Sequence, residues 1–124
     1  MNTKKIDLVS IFYVGATNTL SKIGETSQHM QAREYQLAKK EKGYHMLACL
    51  YLFRLSRAER RYIESYVRMK MENYAKNVQN DHFKFKMTKQ TRKIQQRAFA
   101  IVAMGYAIEC CIKNNFNYYF TWVK

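Results

Sequence analysis

Three side chains in the stretch IFYVGATNTLSKIGETSQHMQAREYQL, from Ile11 to Leu37, have types suited to proton transfer beside a bound anion. They are Tyr13, Lys22 and Arg33. A phenol held beside an ammonium is the first half of a general base, because a neighbouring positive charge favours the phenolate and lowers the tyrosine pKa. Arg33 falls three residues after Met30 and four before Leu37, inside the stripe of a helix that should face a sheet, and an arginine there wants an anion. Taken singly, each has an ordinary reading: Tyr13 as a half-buried strand aromatic, Lys22 as an edge-strand lysine, Arg33 as a snorkelling side chain. Their convergence on one small surface is what points to chemistry.

The elements that must position them are legible in outline. Ile6 to Val14 is rich in β-branched and aromatic residues and stops at Gly15. The turn residues of ATNTL follow, then a second short strand over Ser21 to Glu25, which makes an antiparallel hairpin. With the turn centred between Thr17 and Asn18, Tyr13 faces Lys22 across it. Thr26 or Ser27 caps a helix running to about Lys42, Gly43 ends it, and YHMLACLYLF forms a third, buried strand. Ser56 to Glu59 has the form of a capping box and opens a helix with Ile63, Tyr66, Val67 and Tyr74 on one stripe. HFKFK alternates like a strand. A last helix from about Thr88 carries Ile94, Ala98, Ile101, Gly105, Ile108 and Ile112 at helical spacing, with Gly105 permitting close approach. The apolar surface of that helix calls for burial against the sheet or a second subunit, and the aromatic tail FNYYFTWV should be ordered, as a strand or as a lid. The expected fold is α+β: a small antiparallel three-stranded sheet flanked by helices in ββαβα order, with an apolar C-terminal helix.

Charge names the partner class. The chain of 124 residues has 22 Lys and Arg against 9 Asp and Glu, a net +13. The field of such a domain attracts polyanions. Most of the excess lies between residues 51 and 97, where basic side chains are interleaved with tyrosines and Phe83 and Phe85. Nucleic acid is the first such partner, and Arg57, Arg60, Arg61, Arg68, Lys84 and Lys86 are its expected contacts, positioning it through its phosphates without reading its sequence. Cys49, Cys110 and Cys111 fit neither a disulfide framework nor metal-ligand spacing, and read as core thiols of a cytoplasmic protein. His29, His45 and His82 lack zinc-ligand spacing. The N-terminus does not read as a secretory signal, and the apolar run from Ala98 to Ile112 is too short for a membrane span.

These residues also carry a family resemblance. Ile11-Phe12-Tyr13, Lys22-Ile23-Gly24-Glu25-Thr26 and QAREYQL resemble the two signatures and the arginine helix of the GIY-YIG nuclease superfamily, in its phage-type branch with KIG in place of YIG. RYIESYVRMKM looks like that family's glutamate helix and NDHFKF like its asparagine segment. Ile11 stands where the first signature has glycine, and Lys22 where the second has tyrosine. The resemblance implies a nuclease core over residues 1–88, with residues 89–124 a helical extension packed on the same domain. It further implies Mg²⁺- or Mn²⁺-assisted hydrolysis of a DNA phosphodiester. In that scheme Tyr13 takes the proton from water, Lys22 and Arg33 contact phosphate, Glu64 holds the metal and Asn80 orients the substrate. The residues favour Glu64 over Glu59 independently, since Glu59 is occupied by the capping box, and an ion pair with Arg60, Arg61 or Arg68 is the competing role for Glu64. Two other functions stay open: an inactive DNA-binding module of the same fold, and a small interaction protein using the apolar C-terminal helix. The protein is expected to be a monomer, or a homodimer through that helix.

Overall fold

The structure, a computed structural model, describes residues 5–72, 76–79, 82–84 and 92–123. The elements are β1 (Ile6–Ala16), β2 (Leu20–Thr26), α1 (Met30–Lys40), β3 (His45–Ser56), α2 (Arg57–Met71), β4 (Lys76–Gln79), β5 (His82–Lys84), α3 (Arg92–Lys113) and β6 (Asn117–Trp122). The class is α+β, and the first five elements follow the expected ββαβα order. The sheet is larger than expected. A four-stranded antiparallel body, β2-β1-β3-β6, is extended by β5 and β4 into the order β4-β5-β2-β1-β3-β6. The aromatic tail supplies β6, pairing with β3 from Ala48↔Trp122 to Phe53↔Asn117. HFK supplies β5 along β2.

Strand alternation sorts the core into two sides. Phe12, Val14, Ile23, Leu50 and Leu52 point to one face, where they pack with Ile63, Val67 and Met71 of α2 and with Phe99, Ala100, Ala103 and Ala107 of α3. Ile11, Tyr13, Met46 and Cys49 point to the other, under Leu37 of α1 and Tyr44. Burial removes these side chains from water at about 25 cal/mol per Å² of apolar surface. Cys49, Cys110 and Cys111 are all buried free thiols. Burial pushes Cys49 and Cys111 up to about 12, so both stay protonated and unreactive near neutrality. Among the described residues no helix is long and apolar enough to cross a membrane.

Helix α3 turns its other face inward from the one the sequence stripe suggests. Gln96, Phe99, Ala100, Ala103, Met104, Ala107, Cys110 and Cys111 are buried. Ile94, Ile101, Gly105 and Ile112 are exposed. The alanines decide this, because small side chains let the helix axis approach the sheet closely, while the isoleucine stripe would hold it away. Gly105 permits no close approach within the fold, since a Cβ built there would meet nothing within 4 Å. Gln96 Nε2 donates to the Thr17 carbonyl at 2.9 Å and ties the start of α3 to the β1–β2 turn.

Helix starts obey local chemistry unevenly. At α2 the capping box is complete: Glu59 N–H donates to Ser56 Oγ, and Glu59 Oε1 accepts from Ser56 N–H at 2.8 Å. Glu59→Ala is therefore expected to cost about 0.5–2 kcal/mol in a urea unfolding experiment. At α1, neither Thr26 nor Ser27 caps the helix. His29 is the N-cap, its Nδ1 accepting from Gln31 N–H at 3.3 Å, while Thr26 Oγ1 accepts from Gln28 N–H one step earlier. Gly43 closes the α1–β3 connection with a φ of +78°, a conformation that glycine adopts freely.

Candidate active site

The hairpin register differs from the expected one by two residues. Ala16 pairs with Ser21, so the turn is centred between Asn18 and Thr19, Tyr13 lies opposite Gly24, and Gly15 lies opposite Lys22. A shift of two preserves facing, and Tyr13 and Lys22 still belong to the α1 side of the sheet. The four-residue turn is held by Thr17, whose N–H donates to the Leu20 carbonyl at 2.8 Å and whose Oγ1 accepts from Leu20 N–H at 3.1 Å.

Both strand glycines serve aromatic rings. A Cβ on Gly24 would collide with the ring and hydroxyl of Tyr13, and a Cβ on Gly15 with those of Tyr44. Glycine inside a strand marks such close approach, and this was the one signal in the sequence for the role of Tyr44. The Tyr44 hydroxyl is buried and finds no hydrogen-bond partner among the described residues. Burial above all, then Tyr13, Glu34 and Glu41, raises its pKa above the ordinary tyrosine value, so Tyr44 remains a neutral phenol.

Tyr13 and Arg33 do meet. Arg33 Nε donates to Tyr13 Oη at 3.1 Å, and the guanidinium carbon lies 5.9 Å from the Tyr13 ring centroid. Arg33 Nη1 also donates to Gln36 Oε1 at 2.8 Å, which fixes the fork from its own helix. Lys22 takes a different partner from the one expected: its Nζ lies 3.4 Å from Glu41 Oε2 at the end of α1, a residue that no motif singles out.

Arg33 also lines an open pocket of about 330 Å³ together with Glu25, Thr26, Ser27, Arg57 and Arg60. Three arginines thus converge where β2 ends and α2 begins. They are not equivalent. Arg60 is buried, with Nε 2.8 Å from Glu25 Oε1 and Nη1 2.7 Å from Asp7 Oδ2, and it bridges β1, β2 and α2. Its expected role as a surface DNA contact is corrected accordingly, because two carboxylates already occupy its fork. Arg57 and Arg61 are exposed on α2. Arg68 lies 3.6 Å from Glu64, the competing ion pair foreseen for that glutamate.

Glu64 stands one helical turn along α2 from Arg60, and its side chain is 21% exposed. It is not among the residues lining the pocket, whose carboxylate is Glu25. Among the described residues no three His, Cys, Asp or Glu side chains gather, so an ion at Glu64 would take at most two such protein ligands from them. One or two hard oxygen ligands with water and phosphate oxygens completing the shell is a set that Mg²⁺ accepts. Lys84 is described only as a residue of β5, paired with Leu20 and Lys76. Asn80 and Lys86 lie outside the described residues. Neither family models nor curated proteins nor solved structures give a match to this chain.

Proposed function

We propose that this protein is a metal-dependent DNA endonuclease of GIY-YIG type. The observation that carries the reading is the double engagement of Arg33, which hydrogen-bonds the Tyr13 hydroxyl and lines the basic pocket beside Arg57. A phosphodiester entering that pocket would be held by Arg33 and Arg57, guanidinium forks being suited to phosphate oxygens. The Tyr13 oxygen, beneath Arg33, is the group that would receive the proton of an attacking water, with Arg33 stabilising the charge that develops on the phosphate. Lys22 contributes positive charge two residues from Gly24 on the same strand face, steadied by Glu41. A divalent ion bound by Glu64 would supply Lewis-acid stabilisation of the phosphate and the departing 3′ oxygen. The +13 net charge supplies sequence-independent affinity, with Arg61 and Arg68 extending the basic surface along α2.

A nicking assay on supercoiled plasmid with Mg²⁺ or Mn²⁺ tests the reading. Glu64→Ala is expected to abolish cleavage while leaving the fold and most DNA affinity in place. Full activity of a folded Glu64→Ala protein would remove the metal role from that residue. The second reading, a DNA-binding module without catalysis, is favoured by one observation: Tyr13 is fully buried, so water must pass Arg33 to reach its hydroxyl. Tight, salt-sensitive DNA binding with no cleavage of duplex, branched or single-stranded DNA is the outcome that reading requires.

A further inference from the structure

The outward stripe of α3 has a geometry of its own. Ile94, Ala98, Ile101, Gly105, Ile108 and Ile112 follow one another at intervals of four and three residues in strict alternation, the spacing of a helix-pairing seam. No charged residue occurs among the six. Ile94, Ile101 and Ile112 are 71%, 54% and 62% exposed, a degree of exposure unusual for isoleucine, while Ala98 and Ile108 are half-buried and Ile108 also packs in part against the core. The intervals are also palindromic about Ala103, so an antiparallel copy of the helix meets this one with every seam position opposed by a seam position.

We propose that this face binds a second copy of the chain through an antiparallel, two-fold symmetric α3–α3 pairing. The register follows from the sizes of the side chains. About a two-fold axis at Ala103, Ile101 lies against Gly105 of the other copy, Ala98 against Ile108, and Ile94 against Ile112. Each small residue meets a large one in the two central layers, which is the complementarity that close packing needs. A parallel pairing would instead stack Gly105 on Gly105 and Ala98 on Ala98, leaving thin layers. The antiparallel arrangement also opposes the two helix dipoles. Two 22-residue helices paired along this seam bury on the order of 1,000 Å² in total, the lower bound for a specific protein pair. An isologous contact of this kind closes on itself and stops at two copies.

This pairing is independent of cleavage, and its test reads assembly alone. In sedimentation velocity at tens of micromolar, the full chain is expected to run at twice its 14.9 kDa mass. Ile101→Glu should run as a folded monomer, since the exposed position tolerates charge in the isolated chain, with circular dichroism confirming the fold. The register is read by mixing Ile101→Cys and Gly105→Cys proteins under mild oxidation. The mixed disulfide is expected to exceed either same-variant disulfide several-fold. Gly105 has room for the new side chain, and the native cysteines are buried. A wild-type chain that stays monomeric overturns the proposal and leaves the face to a different protein. So does a dimer indifferent to Ile101→Glu, and same-variant cross-linking in preference to mixed overturns the antiparallel register.

Discussion

Tyr13→Phe should lower DNA cleavage roughly 10²- to 10⁴-fold at every pH, the range that a positioned acid or base contributes, with a stability loss of only about 1 kcal/mol for the hydrogen bond to Arg33. The substitution removes one oxygen and keeps the ring that packs over Gly24. Arg33→Ala should be as damaging, since it removes the donor to Tyr13 and a guanidinium of the pocket together. Gly24→Ala is expected to reproduce the defect indirectly: its methyl would displace the tyrosine and separate it from Arg33. Lys22→Met should be milder than either, because Lys22 is engaged with Glu41 and lies opposite Gly15 rather than Tyr13. Single-turnover cleavage by the four variants, set against their DNA affinities, is the measurement. A fully active Tyr13→Phe protein beside an inactive Lys22→Met would transfer the base role to lysine or to a metal-bound hydroxide.

What could be read in the sequence was local, and what could not was set by residues far apart. The Ser56–Glu59 capping box closes over three residues and was legible as written. The alternation of Ile6 to Val14 gave β1, and a two-residue error in the turn left its facing intact, so Tyr13 and Lys22 kept their common side. Helix α3 shows the limit of periodicity. It has two apolar stripes, and only the packing distance to the sheet decides that the alanine-bearing one goes inward. The partner of Lys22 was hidden for a related reason: Glu41 is 19 residues away, and nothing in its neighbourhood marks it. The tail FNYYFTWV announced order but not its partner, which is β3 across the sheet from β2.

Arg60 is where composition misleads most, and where the largest stability effect is expected. In the sequence it is one arginine of a basic helix; in the fold it joins Asp7, 53 residues away, and Glu25, 35 residues away. Removing one partner of a buried ion pair strands the others, a loss of about 3–5 kcal/mol. Asp7 and Glu25 keep some contact with water, their side chains being 19% and 11% exposed, which places Arg60→Ala near the lower end of that range. Urea unfolding should show it as a lowered midpoint at unchanged slope. Arg60→Lys should recover only part, because an ammonium cannot present two fixed donors to two carboxylates. The triple change Arg60→Met, Asp7→Asn, Glu25→Gln should lie much closer to the parent than Arg60→Ala, since no charge is then left without its counterpart. Salt titration of DNA binding separates this from a surface role. Exchanging Arg57 or Arg61 for alanine should reduce the slope of log affinity against log salt by about one, whereas a folded Arg60 variant should leave it unchanged. An Arg60→Ala protein as stable as the parent but with a reduced salt slope would return this arginine to the DNA surface.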